Sequence, residues 1–446
     1  MMQIVGVLLI LLLNLVFYRK AVYYKLVIDD LILVKFAPFN VKRSKITSIF
    51  IHAVVAEFIF MAFGFSYVSF IAALLFSIHP LAIQVPVWWC GRDYGLKALC
   101  VLSAIAFAPI GGVCYFFNRA GTVTALFTPF IFLFTPHWYL VFIFPILLLT
   151  EWKAIKFAIK SRKEGQAVLR YVTPEDFKVH VFRWENLILV AKTFGYYSLA
   201  SLLPVKNGFY NGFLVTIGSS QKITDYWYSM NKHFWGGLLA MAIMATVWAF
   251  NIHNYIGMGI LLFVFSIGPY LNFFTIQQWT APRYAYLALA GFQIALVGLL
   301  MQLGVPGYCI LSALALFYID RTIKVMQIYK KDNITCITED SYVYPDNPRL
   351  WYYRYEHMLH KGNPIMAYAE AMRGLQYNPE DSQLYFGLAC ACFTLGYIKD
   401  ASGFLDLAEK YMIITERKNM EGMIAEFRAR IKEVANGNVP AVPKKV

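Results

Sequence analysis

The sequence predicts an all-α integral membrane protein with a small helical-repeat domain at its C-terminal end, and three observations predict it. First, 59% of the 446 residues are hydrophobic and only 15% charged, whereas soluble domains run at about 45–50% apolar and about 25% charged. Second, eleven apolar stretches lie near 2–18, 46–64, 66–80, 97–117, 120–134, 137–152, 186–204, 234–251, 254–270, 284–302 and 304–319, most of them close to the roughly 17–25 residues that cross a bilayer as a helix. Third, the tail repeats itself at a spacing of 34 residues. These divide the chain into a polytopic domain (1–320), a linker (321–346), helical repeats with a capping helix (347–436) and a tail (437–446).

The first stretch, Met1 to Tyr18, lacks a basic leading region and a small-residue cleavage site and ends in Arg19-Lys20, so it reads as a retained span. The net charge of +14 is accounted for by basic loops that set membrane orientation and meet anionic lipid headgroups; no nucleic-acid partner is expected. The seven cysteines contain no CxxC pair, so neither a zinc site nor a disulfide framework is indicated.

Orientation follows from the most basic loop. Residues 153–183 carry Lys153, Lys156, Lys160, Arg162, Lys163, Arg170, Lys178 and Arg183, which places that loop in the cytoplasm. Six spans precede it, so the N-terminus is also inside, and the loops after odd-numbered spans lie outside together with everything after the eleventh. One loop resists the rule: Arg19, Lys20, Lys25, Lys35, Lys42, Arg43 and Lys45 fall in the first outside loop. Basic residues there suit a lipid phosphate, with Lys42 and Arg43 as candidates.

In the tail, the stretch from Pro348 and the stretch from Ser382 align over 34 residues. Trp351 matches Tyr385, Ala367 matches Ala401 and Ala371 matches Leu405. Period and small or aromatic positions are those of tetratricopeptide (TPR) repeats. The charged segment from Glu416 to Ala435 suits a polar cap on the stack.

Polar residues beside apolar spans are costly and mark functional candidates. Asp29-Asp30 sit between apolar VI and LILV; such a pair could supply a general base, bind a divalent metal or be a solvated loop pair. His79-Pro80 precede Trp88-Trp89 and Gly91-Arg92-Asp93. The tryptophans fit an interfacial belt, and the Arg92 guanidinium fits a phosphate. His52 and Glu57, five apart on one helix, point about 140° from each other, so each is expected to make its own interhelical contact. The loop after the seventh span carries Lys206, Asn207, Tyr210 and Asn211, and Arg283-Tyr284 open the tenth span. All of these except His52 and Glu57, which lie inside a span, fall on the expected outer face.

VIDDLIL in the first loop, ALLFSIHPLAIQVPVWWCGRDYGL across span three, FGYYSLASLLPVKNGFYN around span seven and APRYAYLALAGF at span ten together resemble the transmembrane, TPR-containing protein O-mannosyltransferases and their bacterial relatives in the GT-C glycosyltransferase superfamily. The resemblance covers most of the chain. It implies transfer of a sugar from a polyprenyl phosphate to an acceptor, on a protein Ser/Thr hydroxyl, at the extracytoplasmic face, without a required cofactor. Asp29 or Asp30 would be the catalytic carboxylate. His79, Trp88, Trp89, Arg92, Asp93, Tyr210, Arg283 and Tyr284 would bind substrate and donor, and the repeats would hold the acceptor protein. A bacterial inner membrane is preferred over the endoplasmic reticulum. Departures from the family pattern stand at Pro282, Gln84 and Pro86. A TPR-bearing membrane scaffold and a glycan or lipid transporter are the competing classes; eleven spans are more than a scaffold needs, and inverted repeats of the kind transporters carry are not evident.

Overall fold

The structure is a computed structural model that describes residues 2–24, 41–88, 91–107, 141–142, 145, 149, 184, 186–205, 208, 230–272, 280–330, 333–345, 348–412 and 414–436. Among them it is all-helical, with sixteen α-helices and no strand. In chain order these are α1 (Met2–Tyr18), α2 (Val41–Ala62), α3 (Tyr67–Ser77), α4 (Gln84–Val87), α5 (Arg92–Ala106), α6 (Asn186–Leu202), α7 (Lys232–Phe250), α8 (Tyr255–Ile267), α9 (Tyr286–Met301), α10 (Val305–Lys330), α11 (Asn333–Val343), α12 (Pro348–His360), α13 (Pro364–Tyr377), α14 (Ser382–Leu395), α15 (Ile398–Lys410) and α16 (Ile414–Ala435).

Four segments among the described residues are long and apolar enough to cross a membrane: Gln3–Tyr23, Arg43–Ala62, Lys232–Phe250 and Pro282–Met301, or five if the bent pair Tyr67–Ser77 and Pro80–Val87 is one span. The count of eleven is therefore not reached there. α6 and α8 are helical where spans seven and nine were expected but have only 17 and 13 residues. The expected spans at 120–134 and 137–152 and the basic loop 153–183 lie wholly or almost wholly outside the described residues. Span three, expected at 66–80, is helical over Tyr67–Ser77, and at its end the chain bends by 63° into Pro80–Val87. Proline at 80 removes an amide donor and fixes its φ, which stops α3.

α1 shows how these helices divide their faces. Ile10, Asn14 and Tyr18 are fully buried, whereas Ile4, Leu8, Leu12 and Leu15 are exposed. A spacing of four residues puts the first three on one side, and the opposite side is left for lipid. α9 is the central rod, buried from Tyr286 to Ala290 and again at Ile294 and Val297. Lipid offers helices no hydrophobic drive to pair, so close packing of small residues does that work. A side chain built on Gly259 of α8 would lie 2.6 Å from the Gly291 carbonyl of α9, and one on Gly195 of α6 would lie 2.7 Å from the Gly237 backbone of α7.

The stretch 321–346, expected as a linker, is helical over 321–330 and 333–343. Thr322, Val325, Met326 and Tyr329 of α10 are buried, a helical spacing that continues α10 beyond its apolar part. α12 and α13 form one hairpin, α14 and α15 a second, and both helices of the second begin 34 residues after those of the first (348 to 382, 364 to 398). Gly362 and Gly396, also 34 apart, take φ of +71° and +86° at the hairpin turns, a left-handed conformation that glycine adopts without strain. Ala367, Ala371, Ala401 and Leu405 are fully buried between the helices. Arg354 is 4% and Glu370 1% exposed. Their ion pair at 2.7 Å and an Arg354 hydrogen bond to Ser341 at 2.5 Å pin α11 to the first hairpin.

Gly237→Leu drives a side chain into the Ala191 carbonyl of α6 and is expected to cost about 1–3 kcal/mol, read as a lower unfolding midpoint in detergent. Gly236→Leu, where a side chain meets open space, is expected to leave the midpoint unchanged.

Candidate functional site

The bend at Pro80 aims α4 at the turn that opens α9. A 3-10 turn, Pro282–Ala285, carries Arg283 and Tyr284, with proline at its first position, where a missing amide donor costs least. The hydroxyl of Tyr197 on α6 accepts a hydrogen bond from the Ala281 amide at 3.0 Å and fixes the start of that turn. Gln84, fully buried on α4, then locks the two pieces together. Its Oε1 accepts from the Arg283 amide at 3.3 Å, and its Nε2 donates to the Tyr329 hydroxyl of α10 at 3.1 Å.

The Arg283 guanidinium sits in an aromatic box. Its carbon lies 5.4 Å from the Trp88 ring and 5.0 Å from the Tyr284 ring, within the roughly 6 Å of a cation–π contact, and its head is hydrogen-bonded to Tyr94 of α5. Tyr284 stacks face to face on Tyr270 at 4.4 Å. Tyr94 also lies 4.8 Å from the Lys97 amine. Arg92, Asp93, Tyr94 and Lys97 occupy the first turns of α5, whose N-terminus carries a partial positive charge. Gly91, at the cap, lies too close to the Gln84 carbonyl for any side chain. Arg92 Nη1 donates to Ser44 of α2 at 3.3 Å, and Lys45, buried next to it, donates to the Tyr24 carbonyl at 2.7 Å. Two cations, Arg283 and Lys97, and the rings of Trp88, Tyr94, Tyr284 and Tyr270 thus gather beside the first turns of α5, while Arg92, about 200° around that helix from Tyr94, is turned to α2. This suits an anion with an apolar or ring-shaped appendage.

Of the residues named from sequence, Trp88, Arg283 and Tyr284 come together here; Arg92 and Asp93 lie on the first turn of the same helix as Tyr94, with Arg92 bonded to Ser44 of α2. Arg43 is exposed at the start of α2. The side chain of Lys42, and Asp29, Asp30, Trp89 and Tyr210 altogether, lie outside the described residues. His79 is not part of the group. It is fully buried, its Nδ1 accepts from the Leu81 amide at 3.1 Å and its Nε2 donates to the Ser201 carbonyl at 3.1 Å. With both nitrogens engaged, and its ring edge-on to Tyr318 at 4.3 Å, it caps the bend rather than facing the arginine. His52 makes its own interhelical contacts as expected, to Tyr286 at 2.7 Å and the Ser77 carbonyl at 3.3 Å. Gln84, Tyr94, Tyr197 and Tyr329 were not named as site residues. Gln84 did stand out as a departure from the family pattern, and Tyr94 follows the Arg92-Asp93 pair directly. Among the described residues no group of three or more His, Cys, Asp or Glu side chains is arranged to hold a metal ion. Comparison with family models, with curated proteins and with solved structures finds no match to this chain.

His79→Ala strips the buried Leu81 amide of its side-chain partner, at a cost of about 1–3 kcal/mol, and leaves the Ser201 carbonyl to Tyr318 alone. A fall in the unfolding midpoint is the expected outcome; an unchanged midpoint would show that the ring is not what holds the bend.

Proposed function

We propose that the chain is a membrane glycosyltransferase of GT-C type. It takes a sugar from a polyprenyl phosphate and transfers it to a hydroxyl, of a protein Ser or Thr, on the extracytoplasmic face of a bacterial inner membrane. The observation that carries this reading is Arg283, boxed by Trp88, Tyr94 and Tyr284 at the N-terminus of α5. Its guanidinium is placed to hold a phosphate leaving group, and the aromatic faces suit a sugar or the first isoprene units. In the reaction a carboxylate removes the proton from the acceptor hydroxyl, the oxygen attacks the anomeric carbon with inversion, and the sugar–phosphate bond breaks. Negative charge grows on the departing polyprenyl phosphate, where Arg283 and Lys97 stabilise it. Asp29 or Asp30 is the base in this scheme. Support comes from the residues that flank the segment carrying them: Lys45 donates to the Tyr24 carbonyl, and Ser44 accepts from Arg92 at the start of α5. The scheme requires no cofactor. Eleven spans in all and a TPR identity for the two hairpins belong to the same reading, with the hairpins presenting the acceptor protein.

Asp29→Asn and Asp30→Asn, assayed separately for transfer from a polyprenyl-phosphate sugar, are expected to leave one variant with activity reduced roughly 100-fold or more; full activity in both removes the base from the scheme. Arg283→Lys keeps the charge but loses the fork and is expected to weaken turnover more than it weakens donor binding.

The face on which the hairpins lie is tested with an introduced thiol. Burial pushes the Cys390 thiol up to about 12, so at pH 8 almost none of it is the reactive thiolate. Gly422→Cys, at a position with open space around it, is expected to react with an impermeant maleimide added outside intact cells. Labelling only after permeabilisation would put the hairpins inside and end their proposed role in presenting an extracytoplasmic acceptor.

A further inference from the structure

A second cleft lies between the end of α6, the C-terminal half of α10 and the end of α11. Its volume is about 360 Å³, within the roughly 300–1,000 Å³ of small-molecule sites. Its lining is divided. Arg321 and Lys324 supply two cations, and Val205, Val325, Ile328 and Val343 supply an apolar wall. Among the described residues Asp320 is the acidic group paired with these cations, 2.7 Å from Lys324 and 3.8 Å from Arg321, so two cations there face one carboxylate. Both cations reach solvent, at 34% and 58% exposure.

The surroundings select the ligand. α10 is apolar up to Ile319 and turns charged at Asp320-Arg321, where a helix leaves the hydrocarbon and basic residues meet headgroups. Leu199 on α6, Leu203 just after it, and Leu316 and Ile323 on α10 are exposed, so an exposed apolar surface borders the cleft. A free anion would leave the apolar wall unused, and a purely apolar ligand would leave the cations unused.

We propose that this cleft binds the phosphate headgroup of an anionic membrane phospholipid, with Arg321 and Lys324 on the phosphate and the first part of an acyl chain along Val205, Val325 and Ile328. The site is separate from the Arg283 box and does not depend on the glycosyl-transfer reading. Tyr342, also in the lining, carries Arg354 over its ring at 5.3 Å, so a lipid held here joins α10 to the foot of the hairpins.

The test uses the full chain in neutral detergent. Phosphatidylglycerol, phosphatidylcholine and inorganic phosphate are added in turn, with the unfolding midpoint read by fluorescence and retained lipid by native mass spectrometry. Phosphatidylglycerol is expected to raise the midpoint and remain bound, and phosphatidylcholine and phosphate to do neither. Arg321→Gln with Lys324→Gln is expected to weaken phosphatidylglycerol binding roughly 10- to 30-fold, the combined worth of two juxtamembrane cations. Asp320→Asn, which removes the competing carboxylate, is expected to tighten it, a gain that misfolding cannot mimic. An equal response to phosphatidylcholine, a full response to phosphate alone, or unchanged binding in both variants overturns the proposal.

Discussion

A backbone carbonyl freed inside an apolar bundle has no water to turn to and must be satisfied by protein. The break between α3 and Pro80 leaves the Ser77 and Ile78 carbonyls to side-chain donors. The first accepts from the Tyr18 hydroxyl of α1 at 2.8 Å and from His52 of α2 at 3.3 Å. The second accepts from Thr322 of α10 at 2.6 Å. Beyond the break, His79 receives the Leu81 amide and reaches across to the Ser201 carbonyl of α6. Four helices far apart in sequence are thereby tied to one kink, and Asn14 of α1 adds a bond to the Ser77 side chain at 2.9 Å. Each bond compensates a desolvation that would otherwise cost on the order of 1–3 kcal/mol, so the bend and the bundle around it stand or fall together.

The site is a consequence of that bend. A straight α3 would carry Gln84 and Trp88 further along the bundle axis; the 63° turn instead lays α4 against the 3-10 turn at Pro282. Gln84 is then within reach of both the Arg283 amide and Tyr329, and Trp88 forms one wall of the arginine's box. Buried glutamine with both ends of its amide in use is a positioning device: replaced by an apolar residue it would leave the arginine turn and α10 without their common partner.

What was legible in the sequence follows from what each signal encodes. Helical membrane character was legible because hydropathy reports the solvent of each segment directly, as α1 and α7 show. The hairpins at a 34-residue spacing were legible because a repeat writes the same packing twice, down to the left-handed glycines at 362 and 396. Direction was less so: a hydropathy window sees 66–80 as an apolar run that ends at a proline and cannot see that the apolar stretch after it, Pro80–Val87, sets off at 63°. His79 is ambiguous in the sequence for a related reason. A histidine beside a proline in an apolar segment reads the same whether it faces a substrate or caps a freed backbone, and only the positions of Leu81 and Ser201 separate the two. Gln84 and Tyr329 are paired across 245 residues, a separation that no local pattern marks.

α10 carries the argument from the membrane to the tail. Thr322 and Tyr329 are seven residues apart on one continuous helix, two turns and about 10 Å along the same face. Thr322 holds the bend and Tyr329 holds the Gln84 clamp, so the two ends of α4's path are referred to a single rod. The same helix is followed by α11, where Ser341 receives Arg354 and the Arg354–Glu370 pair begins the first hairpin. Rotating α10 by even part of a turn would withdraw both hydroxyls from partners that have no water to replace them. The register of α10 is therefore set from the membrane side by two hydroxyl contacts, and the direction in which the chain leaves for the hairpins is set with it.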